Sequence, residues 1–167
     1  MDSNFSNSLQ LILAFEGGCV DDPADRGGAT NKGIIQAVYD QYRTSLKMPI
    51  QSVKYISDTE VRDIYYKNYW LKASCDKLPL GIDTLHFDTA VNSGPGQAAK
   101  FLQRAVGAKD DGIIGNQTLL AVSSADPKVI AKKYCSSRIN FYIDLVTNNV
   151  TQLKFLKGWI SRTITFI

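Results

Sequence analysis

The chain has 167 residues, of which 44% are hydrophobic and 21% are charged, and its formal net charge is +3 at pH 7. This length suits one domain, and the composition is typical of a globular protein, which argues against a disordered or membrane-inserted chain. The positive charge is mild and forms no cluster of Lys and Arg, so we expect no nucleic-acid partner.

Hydrophobic periodicity predicts a mainly helical chain with about seven helices. The first helix spans about residues 6–16 and ends at Gly17–Gly18. A polar segment rich in turn residues follows, and we expect an irregular loop or a small β-hairpin near residues 18–33. The later helices are expected at about residues 34–46, 58–70, 82–92, 98–106, 116–123 and 127–147, with a last segment at 155–162.

Three local signals between residues 57 and 127 mark where helices begin or end. Ser57-Asp58-Thr59-Glu60 has the pattern of a capping box. Gly107 is expected just past a helix end, and Asp126–Pro127 is typical of a helix start. Because there is no repeat and no long linker, the sequence predicts a single domain over residues 1–167.

The cysteines, the histidine and the N-terminus exclude several kinds of site. Cys19, Cys75 and Cys135 are odd in number and widely spaced, so we expect free thiols and no metal site. His86 lies in an apolar helix and is interpreted as a structural residue, and Trp159 is expected in the core. The N-terminus has no basic region followed by a long apolar run, so we expect cytoplasmic synthesis without a signal peptide.

The segment from Phe15 to Gly33 carries the candidate chemistry. Glu16 comes at the end of an apolar helix, where the helix dipole and apolar neighbours raise the pKa of a carboxyl group. A carboxylic acid that is protonated near neutral pH is what cleavage of a glycosidic bond requires. Asp25, on the polar loop, could stay ionised and take the second role. On spacing alone, the alternative is a solvated Glu16 and turn-forming aspartates.

Ordered motifs extend over nearly the whole chain. They are Phe15–Gly18, Asp22–Ile34, Tyr65–Trp70, Phe87–Gly96, Leu102–Gln103, Asp110–Thr118, and Phe155, Gly158, Trp159 and Arg162. Together they resemble glycoside hydrolase family 108, which contains bacterial and phage N-acetylmuramidases, or lysozymes. The resemblance implies a lysozyme-like α+β fold that is mainly α. It places the catalytic glutamate and loop in residues 1–85, and peptidoglycan-binding-like motifs in residues 86–167.

The resemblance also implies site residues and a reaction. The catalytic glutamate of the family corresponds to Glu16, and the wider lysozyme superfamily suggests Asp25 and Thr30 as its helpers. The implied reaction is hydrolysis of the β-1,4 bond between N-acetylmuramic acid and N-acetylglucosamine. Candidate substrate-binding residues are Asn31, Tyr69, Trp70, Asn92 and Gln103. Cys19 replaces a usual aromatic residue and Lys32 a common tryptophan, which affects substrate fit.

Two other functions stay open on the sequence. A non-catalytic peptidoglycan-binding module would keep the motifs without turnover, and a lytic transglycosylase needs only one acid. For the hydrolase, we expect peptidoglycan glycan strands as the partner of a monomer, with no cofactor. A muramidase without a signal peptide fits a phage endolysin, a phage-like particle component, or a secreted antibacterial effector with an immunity protein. Each would act on the cell wall or in the periplasm after release or specialised export.

Overall fold

The computed structural model describes residues 3–15 and 29–167, and this part is mainly helical. Its eight α-helices are α1 (Ser3–Phe15), α2 (Gln36–Ser45), α3 (Asp58–Tyr65), α4 (Ile82–Ser93), α5 (Pro95–Val106), α6 (Asn116–Ser123), α7 (Pro127–Asn148) and α8 (Leu153–Ile164). A π-helix, Tyr66–Leu71, continues α3. Strands β1 (Thr30–Asn31) and β2 (Ile34–Ile35) form an antiparallel hairpin.

The helices lie close to where the sequence predicts them, because their end signals are local. The capping box is confirmed: Ser57 Oγ accepts a hydrogen bond from the Glu60 N–H, and the Glu60 carboxylate accepts one from the Ser57 N–H at 2.9 Å. Gly107 follows α5 with a φ of 72°, and Asp126 caps α7. The helix expected from residue 34 begins later, at Gln36, since the two preceding residues pair in the hairpin.

The helix count and the position of the hairpin differ in detail from expectation. The described residues contain eight α-helices rather than about seven, since the last segment is a full helix of 12 residues. The hairpin lies at residues 30–35, at the end of the segment where it was expected. None of the helices in the described ranges is long and apolar enough to cross a membrane.

Contacts group the chain into two compact units, Met1–Asn68 and Tyr69–Ile167. The boundary falls before the expected division at residues 85 and 86. Trp70 belongs to the second unit, where its ring meets Phe87 of α4 edge-on with a centroid distance of 5.2 Å. The prediction of one domain over residues 1–167 stays a prediction.

A buried ion pair connects helices within the second unit. Asp88 of α4 and Arg138 of α7 both have fully buried side chains, and Arg138 Nη1 donates to Asp88 Oδ2 at 2.6 Å. Arg162 of α8 donates from Nε to the other carboxylate oxygen at 2.7 Å. One carboxylate therefore ties together three helices that are far apart in sequence.

His86 lies in the core of the same unit and is fully buried. Its Nδ1 is 3.1 Å from the hydroxyl oxygen of Tyr134, which itself donates to the carbonyl oxygen of Ala98 at 3.2 Å. The hydroxyl has one proton, so the neutral imidazole donates from Nδ1. Burial lowers the pKa of His86 to about 4, although a hydrogen bond with the Ala73 backbone opposes the shift. These contacts agree with a structural role.

The depressed pKa of His86 predicts a specific pH dependence of stability. In the unfolded chain the His86 imidazole has a pKa of about 6.5 and binds a proton below that pH, whereas the folded chain excludes this proton. The free energy of unfolding therefore falls as the pH is lowered from about 6.5 to about 4. Between pH 7 and 5 the free energy of unfolding should drop by about 2 kcal/mol. Urea unfolding of the parent and of His86→Gln measures this. An equal drop in the variant, which has no other histidine, would contradict the assignment.

Candidate functional site

The structure describes both ends of the candidate catalytic loop but not its middle. Glu16, Cys19 and Asp25 lie outside the described residues. Helix α1 ends at Phe15, directly before Glu16, and the hairpin begins at Thr30. The way these two ends are fixed is therefore what the structure adds to the predicted site.

Helix α3 and its π-helical continuation hold the first end. The ring of Phe5 in α1 is fully buried and packs edge-on against Tyr66, with a centroid distance of 4.9 Å. Arg62 of α3 lies over the same Phe5 ring at 5.1 Å and donates from Nη2 to Ser6 Oγ at 3.0 Å. Ring packing and a hydrogen bond thus fix α1 against α3.

The same helix holds the second end. The hydroxyl of Tyr65 donates to the carbonyl oxygen of Lys32 at 2.9 Å, and the Lys32 ammonium pairs with Asp58 at the start of α3. Lys32 and Gly33 have φ angles of 50° and 74°, as a type I′ hairpin turn requires. Lys32 thus has a role in this turn. Both ends of the candidate loop are fixed by one helix.

Thr30 and Asn31 occupy β1. Asn31 Nδ2 donates to the carbonyl oxygens of Val53 and Lys54 at 3.2 and 3.3 Å, so its amide fastens the hairpin to the following turn. Thr30 is half-buried opposite Ile35. The catalytic prediction for Thr30 and the substrate-binding prediction for Asn31 stay predictions.

The sequence contains two glutamates, Glu16 and Glu60, and the structure gives Glu60 a structural role. Its side chain is 12% exposed and accepts hydrogen bonds from Arg43 at 2.7 Å and from Tyr39 at 2.9 Å. Burial alone would raise the pKa of Glu60, but the hydrogen bonds from Ser57 and Tyr39 and the charge of Arg43 outweigh it and lower the pKa. A carboxyl group held as an anion is unsuited to act as a general acid.

The buried aspartates of the second unit also accept hydrogen bonds from structural residues. Asp88 accepts from Arg138 and Arg162. Asp83 Oδ1 accepts from the N–H groups of Gly81 and Thr84 at 2.9 and 2.6 Å, which stabilises the start of α4. Among the described residues, the strongly buried carboxylates are therefore all bound by structural donors.

The predicted binding residues of the second unit lie in different surroundings. Trp70 is fully buried against Phe87, and Tyr69 is half-buried. Gln103 is 1% exposed and organises the Asp110–Ile113 loop: its Nε2 donates to Asp111 Oδ1 at 2.8 Å and its Oε1 accepts from the Gly112 N–H at 2.9 Å. The Leu102–Gln103 and Asp110–Thr118 motifs are thus joined by hydrogen bonds. The substrate roles of these residues stay predictions.

Asn92, by contrast, is exposed at the end of α4 and lines a pocket. The aromatic walls of this pocket come from Phe141 and Tyr142 of α7 and Trp159 of α8. The sequence predicts Trp159 to be a core residue and does not single out Phe141 or Tyr142. The adjacent aromatic pair in α7 is the available signal, but large apolar side chains are more often buried in the core than used for binding.

Two family matches cover most of the chain. Residues 9–94 match the family described as Glycosyl hydrolase 108, and residues 97–164 match the one described as Predicted Peptidoglycan domain. The chain therefore belongs to the glycosyl hydrolase 108 family and is a glycoside hydrolase that acts on peptidoglycan. This confirms the family predicted from the motifs.

A solved structure, described as the structure of Brucella abortus SagA, is similar over nearly the whole chain. The sequences are 36% identical, the TM-score is 0.79, and the match covers 97% of this chain and 90% of that chain. The mainly helical, lysozyme-like fold class is confirmed by this likeness. Comparison with curated proteins gave no match.

Proposed function

We propose that the protein is an N-acetylmuramidase in which Glu16 is the general acid. It hydrolyses the β-1,4 bond between N-acetylmuramic acid and N-acetylglucosamine in peptidoglycan. One observation carries the assignment of Glu16: the other glutamate of the chain, Glu60, is held as an anion by Arg43 and Tyr39. A glycoside hydrolase needs a carboxylic acid to protonate the leaving oxygen, and Glu16 is the remaining glutamate.

The position of Glu16 in the sequence supports this chemistry. It directly follows Phe15, the last residue of α1, where the negative end of the helix dipole disfavours an anion. We expect this to raise the pKa of Glu16, so that the carboxyl group holds its proton near neutral pH. As the glycosidic bond breaks, Glu16 protonates the leaving oxygen, while Asp25 and Thr30 position water or stabilise the oxocarbenium-like transition state.

Asp25→Asn and Thr30→Val should each reduce turnover without loss of helical content. The expected losses are at the lower end of the roughly 10²- to 10⁴-fold range of acid–base catalysis, because these residues assist rather than protonate. Turbidity loss of purified cell walls gives the rate, and circular dichroism gives the fold. Thr44→Val, an exposed change in the same unit, is the control. Full rates in both loop variants would exclude them from the site.

The bond that is cleaved can be identified from the reducing ends. Soluble products from purified peptidoglycan are reduced with borodeuteride, hydrolysed with acid and analysed by mass spectrometry. We expect deuterated muramitol, which only a reducing N-acetylmuramic acid end can give. Deuterated glucosaminitol would identify a glucosaminidase instead. Absence of soluble products would support the non-catalytic binding module and overturn the proposal.

We further propose that the enzyme acts outside the cytoplasm, because peptidoglycan lies there. We propose that it acts as a monomer. It reaches the cell wall or periplasm by release, as an endolysin does, or by specialised export as an antibacterial effector, whose producer would need an immunity protein. Directing the protein to the cytoplasm or to the periplasm of a Gram-negative host tests this. Lysis only with periplasmic targeting is expected, and equal lysis from both would contradict the proposal.

A further inference from the structure

A small pocket in the second unit has no role in the chemistry described above. It is lined by Asn92, Ser93, Phe141, Tyr142, Leu145 and Trp159 and has a volume of about 220 Å³. Pockets for drug-sized ligands begin at about 300 Å³, so this one suits a single ring-sized group. Its first two residues belong to the glycosyl hydrolase 108 match and the other four to the peptidoglycan match. The pocket therefore contains residues from both matched segments, 9–94 and 97–164.

The hydrogen bonds around Asn92 determine which side of its amide is available. Arg138 Nε donates to the hydroxyl of Tyr142 at 2.8 Å, and this hydroxyl donates to Asn92 Oδ1 at 2.6 Å. Arg138 has no acceptor and the tyrosine has a single proton, so the atom that receives it must be the amide oxygen. Ser93 Oγ also donates to that oxygen, at 3.3 Å. The Nδ2 group of the exposed Asn92 is left to donate to a ligand.

This arrangement is anchored in the core of the unit. Arg138 and Tyr142 are 0% and 1% exposed, and Arg138 is fixed by Asp88 and by Thr89 Oγ1, the latter at 3.0 Å. A side chain whose orientation is set by such a buried network loses little entropy when it binds a ligand. Asn92 therefore has the rigidity expected of a recognition residue.

The walls of the pocket indicate the chemistry of the ligand. Trp159 is half-buried and stacks on Tyr142, with a centroid distance of 5.0 Å and an interplanar angle of 27°. Aromatic and aliphatic surfaces beside a few fixed polar groups are typical of small-molecule sites, and the C–H face of a sugar ring packs on such surfaces. All six lining residues are uncharged, which favours a neutral carbonyl over a carboxylate as the acceptor.

We propose that this pocket is a subsite for one N-acetylhexosamine unit of the glycan strand. Asn92 Nδ2 donates to the carbonyl oxygen of the acetamido group, and Trp159 and Phe141 pack against the sugar and the acetamido methyl group. The inference rests on the proposed function, since it takes the glycan strand as the substrate. The pocket binds the strand and takes no part in bond cleavage.

Asn92→Asp in the full chain is the test. The aspartate still accepts hydrogen bonds from Tyr142 and Ser93 but has no N–H to donate. Asn140→Asp is the matched control, because it makes the same charge change at an exposed position of α7 that does not line the pocket. The probe is tri-N-acetylchitotriose, titrated against tryptophan fluorescence. Only Trp70 and Trp159 contribute, and Trp70 is fully buried.

We expect the parent and Asn140→Asp to bind the trisaccharide equally, and Asn92→Asp to bind at least tenfold more weakly with an unchanged melting temperature. On peptidoglycan, Asn92→Asp should raise KM and leave kcat near the parent value. Equal binding by Asn92→Asp, or no binding by the parent, would overturn the subsite. Competition by free stem peptide but not by the trisaccharide would overturn it in favour of a peptide site. Asn92-dependent binding without any hydrolysis would keep the subsite and refute the proposed muramidase.

Discussion

Glu16→Gln should abolish turnover and leave the folded protein intact. The amide cannot supply the proton that the leaving oxygen needs, and general acid catalysis contributes roughly 10² to 10⁴ in rate. The rate of release of soluble products from purified peptidoglycan measures the loss, and thermal unfolding followed by circular dichroism checks the fold. A rate within about threefold of the parent would remove Glu16 from the mechanism.

Glu60→Gln is the matched control, because it makes the same chemical change at the other glutamate of the chain. Here we expect the opposite result. The charge partner of Arg43 and the carboxylate of the capping box are lost, so the melting temperature should fall. The rate per folded molecule, measured well below that temperature, should stay near the parent value. Loss of turnover in both variants at full folding would mean that the assay does not isolate the acid.

Asp88→Asn should cause a large loss of stability. The variant leaves Arg138 buried and without its counter-charge, and it weakens the contact with Arg162. Removing one partner of a buried ion pair costs about 3–5 kcal/mol. Urea unfolding at pH 7 measures the change, with the parent as reference.

Asp110→Asn is the control for Asp88→Asn, because it makes the same change at a surface pair. Arg104 Nε lies 2.7 Å from Asp110 Oδ2, and both side chains are about half exposed. Such surface ion pairs contribute little to stability. We expect no measurable change in the urea midpoint. Equal losses in the two variants, or a small loss in Asp88→Asn, would mean that burial of the Asp88–Arg138 pair does not determine stability here.

The elements of the fold could be predicted because their signals are local in sequence. The capping box at Ser57 needs only Glu60 three residues later, and the ends at Gly107 and Asp126 follow from single residues. The hairpin was harder to place. Its turn has Lys32 rather than Asn at a position with positive φ, and its strands are two residues long, which is too short for an alternating pattern.

The side-chain roles could be predicted less well, because their partners are distant in sequence. Asp88 meets residues 50 and 74 positions later, and no periodicity in one sequence pairs them. Asn31 contacts a turn 22 residues away, which gives it a fastening role that its polarity alone did not indicate. The sequence identified Asn92 as a candidate, but its neighbours Tyr142 and Trp159 come together only through the packing of α7 and α8.

In the proposed reaction, water attacks the glycan as Glu16 protonates the leaving oxygen. Digestion of purified peptidoglycan in ¹⁸O-labelled water, followed by mass spectrometry of the muropeptides, shows whether water enters the product. We predict one ¹⁸O atom at the reducing N-acetylmuramic acid end of each product from the parent protein, and no soluble product from Glu16→Gln. Unlabelled products, lighter by one water and ending in 1,6-anhydro-N-acetylmuramic acid, would contradict the proposed reaction and identify a lytic transglycosylase.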